Sequence, residues 1–221
     1  MAKDKGVTFI VGDREYHSYK TFGLILGEVE ITAPEIQEQY EDIPGIDGQL
    51  DLSEALTGDV LYKNRTIKMT LYSIGDMHDW FNMTSSIQNI LHGRNCKIIF
   101  DVDSAYYWQG RVKVDIAHSK RTHTITIECN AEPYKYEISN RYKDIKIDGN
   151  CCINIIGGRK REIPSFTTTC DNLQIDYNNK TYFVSKNEEK AFSDIIIEEG
   201  NNILSFTGTG TFSIKYKGGI L

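Results

Sequence analysis

Along most of the chain, hydrophobic and polar residues alternate one by one, a pattern typical of β-strands that bury a single face. The first alternation ends at the turn pair Gly12-Asp13. The second runs through Val29 and Ile31 to Pro34, which favours a strand at the edge of a sheet. In the first half of the chain the alternation predicts strands at residues 7–11, 29–33, 62–72, 97–101, 106–114 and 122–129, with residues 102–105 closing a hairpin.

One segment has the helical period instead. Asp76 is placed to cap the helix and Gly93 to end it, so the predicted helix covers residues 76–92. Its apolar stripe comprises Met77, Trp80, Phe81, Thr84, Ile87 and Leu91. A single helix among many strands predicts an antiparallel sheet with the helix packed on it, and Trp80 and Phe81 are expected in the core.

Near residues 131–134 the pattern changes from long strands to shorter ones, and we expect a second domain to begin close to Tyr136. Short strands separated by Gly- and Asn-containing turns favour a small β-sandwich. The predicted strands are residues 145–147, 153–156, 166–169, 173–177, 181–184, 195–197, 203–206 and 212–216. The predicted core is Ile145, Ile147, Phe166, Leu173, Ile175, Ile195, Ile197, Leu204, Phe206, Phe212 and Ile214. The predicted fold class is therefore mainly β, with domains at residues 1–136 and 137–221.

Charge and hydropathy narrow the classes of function. The chain has 25 basic and 31 acidic residues, a formal net charge of −6. This balance disfavours a nucleic-acid binder or a protein docked on anionic lipid. No apolar run approaches the ~20 residues that a bilayer-spanning helix needs, and the first residues lack the apolar stretch of a signal peptide. We therefore expect synthesis in the cytoplasm and no membrane insertion.

The five cysteines do not form a recognisable metal or redox motif. No Cys-x-x-Cys pair occurs, and the adjacent Cys151 and Cys152 would point to opposite faces of a strand. We expect all five cysteines to be reduced and to act mostly as small apolar residues.

Two stretches contain residue types that bind metal ions. His118 and His123 flank a predicted turn and could approach each other, but no third ligand is placed nearby, so solvated turn residues are the favoured interpretation. Asp101-Val102-Asp103 begins like a calcium loop, yet Tyr106 and Val112 stand where that loop requires Gly and Glu. A hairpin tip is the favoured interpretation there.

Two glycine-rich stretches partly resemble phosphate-binding loops. Gly208-Thr209-Gly210 and Gly157-Gly158-Arg159-Lys160 do not follow the phosphate-loop pattern, and neither precedes a predicted helix. Both are interpreted as hairpin turns. The sequence thus predicts no catalytic, cofactor-binding or metal-binding residues, no cofactor and no enzymatic activity.

The order of turns and strands along the chain resembles that of a known protein family, although each motif alone is weak. The segments are Ile43-Pro44-Gly45-Ile46-Asp47-Gly48, the strand from Tyr62, the helix ending at Leu91-His92-Gly93, Tyr106-Tyr107-Trp108-Gln109-Gly110-Arg111, and Cys129-Asn130-Ala131-Glu132-Pro133-Tyr134. In this order they resemble the N-terminal domain of distal tail proteins of siphophages and related prophages. Residues 199–217 look like the closing strands of that family's galectin-like C-terminal domain.

The resemblance implies a role at the tip of a phage tail. Distal tail proteins form a ring, usually hexameric, that joins the tail tube protein to the tail-associated lysin or fibre protein and often carries receptor-binding proteins. DNA passes through the ring, so the resemblance also implies a virion tail-tip location. It assigns ring formation to residues 1–136 and a galectin-like fold to residues 137–221. Long carbohydrate-binding insertions found in some members have no room in this chain.

Three further interpretations follow from the residues. Residues 32–60 are polar, turn-rich and short of apolar side chains, so either a neighbouring subunit orders them or they form an ordinary surface loop. A carbohydrate-binding adhesion module is the first alternative function, since Tyr177 and Tyr182 look exposed in the sandwich. A tail-tube subunit is the second, although the added sandwich argues against it.

Overall fold

The structure, a computed structural model, describes residues 6–55, 57–73, 79–118, 123–139 and 142–221. The chain divides into two compact units, Met1–Pro133 and Tyr134–Leu221. Both units are built from antiparallel strands, so the predicted mainly β fold class is confirmed. Among the described residues, no helix has the length and apolar character required to cross a bilayer.

An antiparallel sheet of seven strands dominates the first unit. In the order β2-β1-β7-β8-β9-β6-β3, it buries one face and leaves the other to solvent. The buried face carries alternate residues of each strand, for example Ile67, Met69 and Leu71, as the period-two pattern predicts. The strands are β1 (Val7–Val11), β2 (Arg14–His17), β3 (Leu24–Ile31), β4 (Tyr40–Asp42), β5 (Gln49–Asp51), β6 (Arg65–Ser73), β7 (Asn95–Phe100), β8 (Tyr106–His118) and β9 (His123–Ala131).

The predicted helix is present as α2 (Trp80–Leu91), after a five-residue helix α1 (Ser18–Phe22). Trp80, Thr84, Ile87 and Leu91 are buried in the first core, as predicted. The expectation for Phe81 is wrong, because this side chain is 72% exposed. Phe81 lies one residue, or about 100°, around the helix from Trp80 and so leaves the stripe that faces the sheet. Asp76 and Met77 lie outside the described residues.

Helix α1 was not predicted from the sequence, and a histidine fixes its start. His17 Nδ1 accepts hydrogen bonds from the backbone N–H groups of Tyr19 and Lys20, both at 3.1 Å. His17 Nε2 lies 3.1 Å from Asp101 Oδ2, which also accepts the Gly6 N–H. Asp101 starts a single 3-10 turn between β7 and β8, so its contacts with Gly6 and His17 tie the first strand to the hairpin tip.

The second unit has its own core. Its strands run in the order β14-β13-β16-β12-β15, with β11 paired along β16. Ten of the eleven predicted core residues are buried, and Ile145 is half-buried. The strands are β10 (Lys135–Glu137), β11 (Ile145–Gly157), β12 (Ser165–Thr168), β13 (Asn172–Tyr177), β14 (Lys180–Ser185), β15 (Glu189–Ala191), β16 (Gly200–Lys215) and β17 (Gly219–Ile220).

Some strand assignments in this unit were wrong, since the predicted strands 145–147 and 153–156 are parts of the single strand β11. Gly208-Thr209-Gly210 is not a hairpin turn, because β16 continues through it and pairs with β11 along its length. Glycine is needed there for close approach, since a Cβ at Gly210 would lie 3.1 Å from Cys170 Sγ. Residues 195–197 are not a strand either; Ile195 and Ile197 are buried, but only an isolated bridge from Ile197 to Glu162 forms.

All five cysteines are free thiols, as expected, but their environments differ. Cys96, Cys129 and Cys170 are buried, and burial raises the pKa of Cys96 to about 11 and that of Cys129 to about 12. Cys151 is half-buried and burial also raises its pKa, whereas Cys152 is exposed. The two adjacent thiols therefore do lie on opposite faces of β11.

These environments predict one fast-reacting thiol in the folded protein. Because the thiolate is the reactive species, Cys152 should be alkylated first at neutral pH and the three buried thiols should react only on unfolding. Mass spectrometry of briefly alkylated protein should show a single adduct on the peptide that contains Cys152. Cys152→Ser should remove that adduct, and early labelling of Cys96 or Cys129 would contradict the packing described above.

Candidate functional site

The histidines do not assemble a reactive centre in the described part of the chain. His92 Nδ1 accepts the Val114 N–H at 3.2 Å, and the His123 ring stacks on Trp80 with centroids 4.7 Å apart. The backbones of His118 and His123 pair at the end of the β8–β9 hairpin. Over residues 6–55, 57–73, 79–118, 123–139 and 142–221, no group of three His, Cys, Asp or Glu side chains could hold a metal ion. His78 lies outside the described residues.

The tyrosines considered for sugar stacking are not exposed. Tyr177 is half-buried, packs against the second core and donates its hydroxyl to the Ile196 carbonyl at 2.9 Å. Tyr182 is also half-buried, with its ring 4.8 Å from that of Phe192. The expectation of exposed aromatics at these two positions is wrong, because both side chains point inward at the margin of the core.

The most distinctive surface is a long excursion between β3 and β6, which we call the arm (residues 32–64). Its root is held by the sheet, where the Thr32 N–H donates to the Thr66 carbonyl at 3.0 Å. Further out, Ile36 and Tyr62 form an isolated bridge. Beyond that bridge, β4 and β5 pair in register to form a small two-stranded sheet at the end of the arm.

The arm has no core of its own. None of its described residues is buried, and Ile46 at the turn between β4 and β5 is 63% exposed. The segment carries more apolar side chains than the sequence interpretation allowed, and they face solvent. The exposed large apolar residues of the arm are Ile36, Tyr40, Ile43, Ile46, Leu50 and Leu61. An isolated hairpin without a hydrophobic face to pack on is marginally stable, so the arm is suited to pack against another surface.

The strand from which the arm departs is itself open. β3 is the last strand of the seven-stranded sheet, so its outer backbone groups face away from β6. The outer part of β3 carries exposed Val29 and Ile31, and the register shifts between Leu26 and Val29. Edge strands are usually protected against pairing with another chain, and on β3 the protecting features are Glu28, Glu30 and this irregular register. Edge and arm form one continuous candidate assembly surface.

This surface is acidic. Residues 21–62 contain ten of the 31 acidic residues and none of the 25 basic residues. The resulting field acts on Tyr40, whose phenol pKa is raised chiefly by Glu38 and then by Asp51. An ion pair on the arm joins Lys63 Nζ and Glu35 Oε2 at 3.2 Å, and exposed pairs of this kind contribute little to stability.

Comparison with known proteins gives a likeness of fold. No protein-family model matches the chain, and no curated protein matches its sequence. Among solved structures, the chain is similar to the Dit (gp 19.1) protein of SPP1, described as a paradigm of the hub adsorption apparatus in phages that infect Gram-positive bacteria. The TM-score is 0.62 at 12% sequence identity, and the match covers 97% of this chain and 99% of that one. Over nearly its whole length, the chain therefore has the fold of a phage distal tail protein.

Proposed function

We propose that this chain is a non-enzymatic structural protein of a phage tail tip that assembles into a ring. The observation that carries the proposal is the arm with its adjoining edge strand, an exposed apolar surface on a chain with the fold of SPP1 Dit. A monomer gains nothing from exposing these side chains, whereas an assembly buries them.

A ring requires two different, complementary patches on each subunit. The arm and the edge of β3 form one patch at one end of the strand order, and the second patch must lie elsewhere on the subunit. Head-to-tail contacts of this kind close into a ring when the rotation between subunits divides a full turn. The resemblance to distal tail proteins favours six copies.

The two units divide the work in this proposal. The first domain (1–136) builds the ring and its channel, and the second (137–221) projects outward as a galectin-like sandwich. The ring joins the tail tube protein to the tail-associated lysin or fibre protein, carries receptor-binding protein, and lies at the virion tail tip after synthesis in the bacterial cytoplasm. The alternative of a carbohydrate-binding module is weakened because Tyr177 and Tyr182 pack inward.

Native mass spectrometry over a range of protein concentrations tests the ring. We expect a closed hexamer, either for the chain alone at high concentration or in the presence of the tail tube protein, which supplies a template. Negative-stain images of the same sample should show rings with a central hole. A chain that remains monomeric at high concentration and with the tube protein present would overturn the proposal.

The proposed channel also predicts weak contact with DNA. Each lysine or arginine that touches phosphate adds affinity through counterion release, so a basic lining would retain the genome. The chain is net −6, and on the solvent face of the first sheet Lys68, Glu128 and Lys113 are register neighbours whose charges alternate. We expect no measurable binding of duplex DNA at physiological salt by fluorescence anisotropy. Salt-sensitive micromolar binding would contradict a permissive channel.

A further inference from the structure

Charge is distributed very unevenly along the chain. The ten acidic residues of 21–62 leave 21 acidic and 25 basic residues elsewhere, so the remainder of the chain is net positive although the whole chain is net −6. Arms from different subunits would repel one another. A contact that buries the arm therefore needs a basic surface opposite it.

Several carboxylates of the arm have no cationic partner among the residues that the structure describes. Lys63 pairs with Glu35, whereas Asp42 accepts a hydrogen bond from Gln49 Nε2 at 3.0 Å and Asp51 accepts the Ser53 N–H at 2.9 Å. The side-chain carboxylates of Glu38, Glu41, Asp47 and Glu54 have no hydrogen bond or ion pair to any described residue. These side chains are exposed and can accept an external cation without breaking an internal bond.

A group of basic residues lies on two central strands of the same unit. Lys97 on β7 pairs in register with Gln109, two residues from Arg111 on β8, so the two cations are diagonal neighbours on the solvent face. Arg94 lies beside them, since its carbonyl accepts the Val112 N–H at 2.9 Å. We call Arg94, Lys97 and Arg111 the basic cluster.

The basic cluster also lacks acidic partners among the described residues. Arg111 donates to the Gly93 carbonyl, and Lys97 Nζ lies 4.8 Å from the centre of the Tyr107 ring. The nearby Lys113 differs, because its Nζ lies 2.9 Å from Asp115 Oδ2 and this contact raises its pKa. Like charges on neighbouring strands repel, so the three unpaired cations favour an anionic partner.

We propose that the acidic arm of one copy docks on the basic cluster of the next copy. The inference rests on the proposed ring, and it specifies which two surfaces meet. The arm leaves the sheet between β3 and β6, whereas the cluster lies on β7 and β8, so the two surfaces are distinct patches, as a head-to-tail contact requires. The apolar side chains of the arm supply burial, and the opposite charges select and orient the contact.

Charge reversal tests the pairing. Glu38→Lys with Glu41→Lys should weaken self-association at least about tenfold, and Lys97→Glu with Arg111→Glu should do the same. A chain that carries all four changes should recover most of the lost affinity, because the signs are again complementary. Two controls keep the variants comparable: Glu188→Lys with Glu199→Lys changes the charge equally on the second unit, and Lys113→Gln removes a cation that is already paired. Both controls should stay within about twofold of the wild type by sedimentation velocity.

A zero-length carbodiimide cross-linker joins carboxylates to lysine amines. It tests the contact on the wild-type chain, so the result does not depend on whether a variant folds. In an equal mixture of ¹⁴N- and ¹⁵N-labelled chains, peptides from 35–54 should be joined to the peptide containing Lys97, with the mixed isotope pattern of an intermolecular link.

Association should also weaken as salt rises from about 0.05 M to about 0.5 M, because the screening length shortens.

The outcomes separate this inference from the proposed function. Rings that form normally after either reversal, or cross-links that map only to other lysines, would overturn the arm–cluster pairing and leave the ring intact. A wild-type chain that never associates would overturn both. Duplex DNA binding that is abolished by Lys97→Glu with Arg111→Glu would show that the cluster takes nucleic acid, and would likewise overturn the pairing.

Discussion

Replacing residues 34–64 by Asn-Gly should abolish self-association while the first unit stays folded. The Thr32 N–H already donates to the Thr66 carbonyl, so β3 and β6 lie close enough for a two-residue turn that joins Ala33 to Arg65. Asn-Gly suits the type I′ turn of such a hairpin. Because no described residue of the arm is buried, its removal takes nothing from the first core.

Two measurements on the same variant decide the matter. The thermal midpoint should lie close to that of the wild type, which shows that the sheet has survived, and sedimentation should show a monomer at every concentration. Ile46→Ser, at the exposed tip of the arm, should weaken association by a smaller amount without affecting the midpoint. A variant without the arm that still forms rings would place the subunit contact elsewhere and remove the main support for the proposed function.

Most of the architecture could be predicted from the sequence, because the two-residue period of the strands and the helical period of α2 are both clear. Alternation located six of the seven strands of the first sheet, all but β2, and ten of the eleven core positions proposed for the second unit, since a strand with one buried face must alternate. Trp80, Ile87 and Leu91 followed from the helical period for the same reason. Phe81 did not, because an apolar residue at the margin of a stripe packs or projects according to the neighbouring strands.

One error arose because glycine occurs both in turns and in strands that another segment approaches closely. Gly208 and Gly210 were interpreted as a turn, but in β16 they allow close approach of Cys170. A long strand that contains small residues cannot be distinguished from two short strands and a hairpin by local pattern alone. Nothing in the local pattern indicated that His17 and Asp101, far apart in the sequence, would meet. Only the pairing of β1 with β7 brings them together.

The assembly surface was partly visible in the sequence. The turn-rich composition of residues 32–60 indicated a segment outside the sheet, and that part of the interpretation stands. What the sequence could not give was the exposure of Ile43, Ile46 and Leu50, since an apolar residue in a turn can equally fold back onto a core. The uneven distribution of charge is visible in the sequence. The basic cluster is recognised only in the structure, where β7 and β8 are neighbouring strands.

The second unit should fold without the first, and its starting residue should matter. The core made of Phe166, Phe206, Phe212 and their neighbours belongs entirely to residues 134–221, and the Phe206 ring stacks on that of Phe212 with centroids 4.4 Å apart. We therefore expect a fragment of residues 134–221 to unfold cooperatively and to give a well-dispersed amide spectrum. A poorly dispersed spectrum would show that this core needs the first unit, against the two-domain interpretation.

Two variants of the fragment should lower its stability by different amounts. A start at residue 138, next to the predicted domain boundary, removes β10 and leaves β17 without its partner, because Lys135 pairs with Ile220 and Tyr136 with Gly219. That fragment should keep the core but unfold at a lower denaturant concentration. Phe206→Ala should cost roughly 3–5 kcal/mol, the usual range for truncating a buried phenylalanine. Since a domain of this size has about 5–15 kcal/mol of stability, the variant should be marginal or unfolded, whereas the same substitution in the full chain should leave the unfolding of the first unit unchanged.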